Sequence, residues 1–108
     1  MAGVDLASED IVRRLGGDAA LGEIGGAISA DDPGHFDLRF RHPSPRGVRS
    51  VVITVEPNGL FGMTCYGPLR AGAFQAERLG KATGILPENL ATVLGQLTGI
   101  ETLHHRHY

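Results

Sequence analysis

Glu56-Pro57-Asn58-Gly59 stands between two β-like runs, Ser50-Val51-Val52-Ile53-Thr54-Val55 before it and Leu60-Phe61-Gly62-Met63-Thr64-Cys65-Tyr66 after it. Pro57 fixes φ near −65°, which suits the second position of a type I turn. Asn58 tolerates the third position, and Gly59 can enter the left-handed region that a hairpin bulge requires. The stretch therefore predicts a β-hairpin. The turn also predicts the register. With Glu56 opposite Leu60, Val55 faces Phe61, Ile53 faces Met63 and Val51 faces Cys65. All six apolar side chains then share one face. Ser50, Val52, Thr54, Leu60, Gly62, Thr64 and Tyr66 take the other. A slip of one residue would destroy this agreement between turn chemistry and hydrophobic pattern.

Just upstream, His35-Phe36-Asp37-Leu38-Arg39-Phe40-Arg41 alternates in the same way. Phe36, Leu38 and Phe40 point to one side, as in a half-buried strand. The prolines of His42-Pro43-Ser44-Pro45-Arg46-Gly47 interrupt any ladder and predict a loop. Before the strand, Ser8 is placed to cap a helix with Glu9 and Asp10 in its first turn, and Gly16-Gly17 ends it. Asp18 is placed to cap a second helix that carries Leu21, Ile24 and Ile28 at helical spacing, although Gly22, Gly25 and Gly26 each cost about 1 kcal/mol there. Ser29 to Gly34 is expected to be a loop, with Asp31-Asp32-Pro33-Gly34 as a turn.

After the hairpin, Gly67-Pro68 is expected to close the sheet. A helix to about Thr83 should follow, with Pro68 at its first position. Its inner stripe would be Leu69, Gly72, Ala73, Ala76, Leu79 and Gly80, small enough for another element to approach closely, with Phe74 off the stripe. Pro87 opens a last helix with Leu86, Leu90, Val93, Leu94 and Leu97 on one face, ended by Gly99. The expected fold is thus a single α+β domain over 1–108. It comprises an acidic helical start (1–34), a three-stranded antiparallel meander (35–66), two C-terminal helices on its apolar face (67–100) and a tail (101–108).

Composition narrows the classes. The chain has 108 residues, which suits one domain rather than two. Hydrophobic content of 42% and charged content of 20% are those of an ordinary soluble globule. No apolar run reaches membrane-spanning length. No basic residue precedes an apolar block at the N-terminus, which speaks against a signal peptide. Cys65 is the single cysteine. Together these features point to a reducing, cytoplasmic setting.

The net charge of −2 argues against a general nucleic-acid binder, but the charge is unevenly spread. Residues 1–34 carry Asp5, Glu9, Asp10, Asp18, Glu23, Asp31 and Asp32 against Arg13 and Arg14. Residues 35–49 carry Arg39, Arg41, Arg46 and Arg49 against Asp37. Either the two regions meet inside the fold, or the basic one meets an anionic partner. Arg39, Arg41, Arg46 and Arg49 with Tyr66 are therefore candidate binding residues, and Phe74 is a candidate contact residue. Arginines beside an aromatic on an open sheet suit single-stranded nucleic acid. The aromatic ladder of an RNA-recognition sheet is missing, however, so a self-paired surface or a protein contact is preferred.

No catalytic constellation stands out. Cys65 could be a nucleophile only as a stabilised thiolate, and the hairpin register aims it into the core. His104, His105 and His107 could ligate a divalent metal, yet no familiar zinc spacing surrounds them, and a solvated tail is preferred. The paired glycines lack the Lys-Ser/Thr of a P-loop. Neither a cofactor nor a metal is called for. The expected function is that of a small non-catalytic interaction protein, an accessory, regulatory or inhibitory module with a protein partner. Unpaired sheet edges make a homodimer plausible. The alternatives are an anion or nucleic-acid binder through the arginine strand, and a small enzyme using Cys65 or a histidine.

Overall fold

The computed structural model describes residues 8–32, 34–69 and 71–100. The hairpin forms as its turn chemistry requires. β3 (Ser50–Val55) pairs antiparallel with β4 (Phe61–Tyr66), with Val51 opposite Cys65, Ile53 opposite Met63 and Val55 opposite Phe61. The N–H of Gly59 donates to the carbonyl of Glu56 at 2.9 Å, and the N–H of Glu56 donates to the carbonyl of Leu60 at 2.8 Å. Gly59 takes φ 85°, the left-handed conformation the bulge requires. The side chain of Asn58 accepts the N–H of Leu60. The preceding strand, β2 (His35–Phe40), sets Phe36 opposite Ile53 and Leu38 opposite Val51. Arg41 lies just beyond it, so the strand is one residue shorter than its alternation predicts.

The sheet has five strands rather than three, and this overturns the expected fold class. Its order is β1-β2-β3-β4-β5, antiparallel throughout. The first extra strand lies within the expected helical start. α1 (Ser8–Arg14) forms as expected, but α2 (Asp18–Glu23) stops before Ile28, and β1 (Gly26–Asp32) follows. Gly17, not Asp18, holds the N-cap position of α2. The capping expected of the Ser8 and Asp18 side chains lies outside what is described. Leu21, Ile24 and Ile28 fit a helical period, yet Gly26, Ile28 and Ala30 also fit a strand period. Glycines weaken the helix, and β2 offers an edge whose backbone groups need partners. Pairing wins, with Ile28 opposite Leu38 and Ala30 opposite Phe36.

The second extra strand replaces the helix expected over 68–83. The described residues between β4 and Glu77 are irregular, and β5 (Arg78–Ile85) then forms on the free edge of β4. The small residues of the expected helical stripe still permit a close approach, but through a strand. Gly80 lies opposite Cys65, and a Cβ there would meet Leu97 at 3.5 Å. The two C-terminal helices reduce to one. Pro87–Asn89 makes a single 3-10 turn, and α3 (Leu90–Thr98) follows, ended by Gly99 in the left-handed conformation. Leu90 and Leu94 are buried, whereas Leu86 is exposed rather than part of the inner face.

All helices cover the same side of the sheet. Ile11 and Leu15 of α1, Leu21 of α2, and Leu90 and Leu94 of α3 share one core with Phe36, Leu38, Phe40, Val51, Ile53, Phe61, Met63 and Cys65. Val48 and Ile85 complete it. Phe36, Leu38, Phe40, Val51, Ile53, Phe61, Met63 and Cys65 are side chains that alternation assigned to one face, whereas Val55, assigned with them, is only partly buried. Burial of the core is the main favourable term in the fold.

Candidate interaction surfaces

No described element covers the other side of the sheet. The cross-strand pairing lines up its side chains in rows. One row runs Ala27, Arg39, Ser50, Tyr66 and Arg78 across all five strands. The next runs Ser29, Asp37, Val52, Thr64 and Lys81. The face is thus largely small and polar, with cations toward the β5 side.

The four arginines of residues 35–49 do not converge on one anion site. Arg39 lies on the open face, where its Nε meets Asp37 at 3.1 Å. Both groups belong to one strand and are two residues apart, so the pair partly neutralises itself, and an exposed pair of this kind adds little stability. Arg41 follows the strand and donates its backbone N–H to the carbonyl of Gly25. It lines a cavity of about 370 Å³ with Glu23, Ile24, His42, Pro45 and Ile100. Arg49 donates from Nε to the carbonyl of Phe40 at 2.6 Å, which ties the end of β2 to the start of β3. Arg46 donates its backbone N–H to the carbonyl of Thr98 at 3.1 Å. It lines a separate groove of about 380 Å³ with Val48, Leu79, Gly80, Gln96 and Leu97.

Tyr66 is half-buried on the open face, as its register position predicts, and stands between Ser50 and Arg78. Phe74 lies in the irregular segment between β4 and β5 and is fully exposed. The sequence pattern missed Arg78 and Lys81 as members of the open face, because β5 carries no alternating apolar signal. It also placed Leu69 and Leu79 on a buried helix stripe, and both are exposed.

Burial sets the chemistry of Cys65. Its side chain points into the core opposite Val51, and desolvation pushes its pKa up to about 11. The thiol is therefore protonated near neutral pH, the opposite of what a nucleophilic cysteine requires. His35 and His42 are exposed. Among the described residues no group of His, Cys, Asp or Glu side chains is arranged to hold a metal ion. The histidines at 104, 105 and 107 lie outside the described residues. No described helix is long and apolar enough to cross a membrane. A scan against protein-family models and searches of curated proteins and solved structures return no match to this chain.

Proposed function

We propose that this chain is a small non-catalytic interaction protein, an accessory, regulatory or inhibitory module that works by protein–protein contact in the cytoplasm, and that its docking side is the segment 69–86. One observation carries the proposal. Leu69, Phe74, Leu79 and Leu86, the exposed large apolar side chains among the described residues, all fall within this segment. Phe74 is fully exposed, with no described residue burying its ring. Isolated apolar side chains on a surface are normal, but their concentration in one stretch of the chain supports a contact surface there. Aromatic anchors are also the side chains that dominate protein interfaces. A photo-reactive amino acid at position 74 should cross-link a protein partner in the source cells. The same group at position 29, on the opposite edge strand, should not. Equal yields from the two positions, or none from position 74, defeat the proposal.

A second reading is favoured by the row Arg39, Ser50, Tyr66 and Arg78. It sets two guanidinium groups and an aromatic ring on one open face, which suits an anionic ligand or single-stranded nucleic acid. A salt-sensitive gel shift with single-stranded oligonucleotides, abolished by Arg39→Gln with Arg78→Gln, would promote it.

A further inference from the structure

We propose that the partner presents an extended acidic segment. It adds to the free edge of β5 as a sixth strand and seats an aliphatic side chain in the groove between β5 and α3. This inference rests on the protein-interaction reading above and names its partner.

The edge comes first. β5 closes the strand order, so it pairs with β4 on one side only. Along its other side no described strand satisfies the outward backbone groups. An unpaired strand edge is a ready template for a further strand, and main-chain hydrogen bonds then supply much of the affinity. The opposite terminal strand, β1, has one unpaired edge as well, and α1 and α2 pack against it as α3 packs against β5; the groove and the exposed cations favour β5.

The groove lies beside this edge. Val48, Leu79 and Leu97 give it apolar walls, and Gly80 leaves its floor without a side chain. At about 380 Å³ it has room for an aliphatic side chain. Arg46 and Gln96 supply its polar groups. In strand-addition complexes such pockets, spaced along the edge, give specificity to otherwise sequence-blind backbone pairing.

Charge selects the occupant. Arg46 lines the groove, and Arg78 and Lys81 lie on β5, all three exposed. No described carboxylate forms an ion pair with any of them, whereas Arg39 has Asp37. In sequence, residues 69–86 hold Arg70, Arg78 and Lys81 against Glu77 alone. Carboxylates on an added strand would complement these cations. A second copy of β5 paired so that Arg78 meets Lys81 would set like charges across the strand pair, which opposes association in that register. No aromatic side chain lines the groove, so it offers a nucleic-acid base nothing to stack on.

The test is a random peptide library displayed on phage and panned against the full chain. Enriched sequences should alternate Asp or Glu with aliphatic residues. A synthetic peptide from that pool should slow amide exchange along β5. Its affinity should fall about tenfold or more with Arg46→Gln and with Lys81→Glu, and stay unchanged with Arg13→Gln on α1. These side chains are exposed, so all three variants should keep the melting temperature of the parent. Failure to enrich any peptide, basic or helical consensus sequences, protection of β1 instead of β5, or indifference to both substitutions would overturn the inference. So would a dimer in light scattering whose contact protects β5, since that edge would then belong to a second copy. If position 74 still cross-links a protein while the peptides fail, the interaction reading stands and strand addition falls. If both fail, both are lost.

Discussion

The carboxylate of Glu56 accepts the backbone N–H of Gly84, at 3.2 Å from Oε1 and 3.4 Å from Oε2. A residue of the β3–β4 turn thus holds the far end of β5. It reaches there across Gly62, where a Cβ would come within 2.9 Å of Thr54 Oγ1 and 3.3 Å of Glu56 Oε2. The bare position on β4 is what gives the glutamate its path. The contact joins two elements far apart in sequence, and it lies where the β4–β5 register shifts between Phe61 and Met63.

Replacing Glu56 with Ala should loosen the end of β5 without unfolding the domain. Because this bond is exposed, its loss should cost no more than about 1 kcal/mol. Amide exchange at Gly84 should accelerate markedly, while exchange at Ile53 and Met63 stays slow. Unchanged exchange at Gly84 would mean that the carboxylate does not hold the strand.

The hairpin register makes neighbouring residues of β3 unequal. Ile53 is fully buried, so Ile53→Ala should cost roughly 2–5 kcal/mol, and Phe61→Ala should cost about as much or more. Val52 sits between Asp37 and Thr64 on the open face, so Val52→Ala should cost clearly less than Ile53→Ala. Urea unfolding of the three variants checks the order. A larger loss at Val52 than at Ile53 would reverse the face assignment.

Cys65 should resist thiol reagents in the folded protein at pH 7 and react only on unfolding. Its pKa is raised from 9.0 to about 11 by desolvation, so the folded state disfavours the thiolate. The unfolded thiol ionises first as pH rises. The stabilisation is therefore complete below pH 9 and is lost between about pH 9 and 11. The loss should be on the order of 2 kcal/mol. Cys65→Ala lacks the titrating group, so the stability gap between it and the parent should narrow across this window in denaturant titrations. A constant gap would contradict the shift.

Phe74→Ser should leave stability unchanged, within about 0.5 kcal/mol, because the ring is fully exposed and its segment is irregular. A large drop in melting temperature would show that the ring packs in solution. Its cross-linking role would then need another explanation.

The parts of the fold that were legible in the sequence share one property: local chemistry and tertiary demand point the same way. Pro57, Asn58 and Gly59 specify the turn, the turn specifies the register, and the register agrees with the alternation of both strands. The burial of Cys65 followed from that agreement. The last helix was legible because Leu90, Val93, Leu94 and Leu97 fit one face, although it starts at Leu90 rather than Pro87 and leaves Leu86, expected on that face, exposed. The site was less legible. Tyr66 stands on the open face as its register position required, but Arg39, Arg41, Arg46 and Arg49 are close in sequence and separate in space. Whether charges that are neighbours along a chain act together depends on which face, edge or loop carries each one.

The sequence by itself determined the β3–β4 hairpin, its inward face, the adjoining strand β2 and the C-terminal helix, because turn residues and side-chain periodicity act over a few residues. Tertiary structure alone decided β1 and β5. Gly26–Asp32 and Arg78–Ile85 have weak preferences of their own: their glycines and alanines fit neither period strongly. Each became a strand by pairing with the backbone of β2 or β4, a partner set by distant residues and invisible in the local pattern.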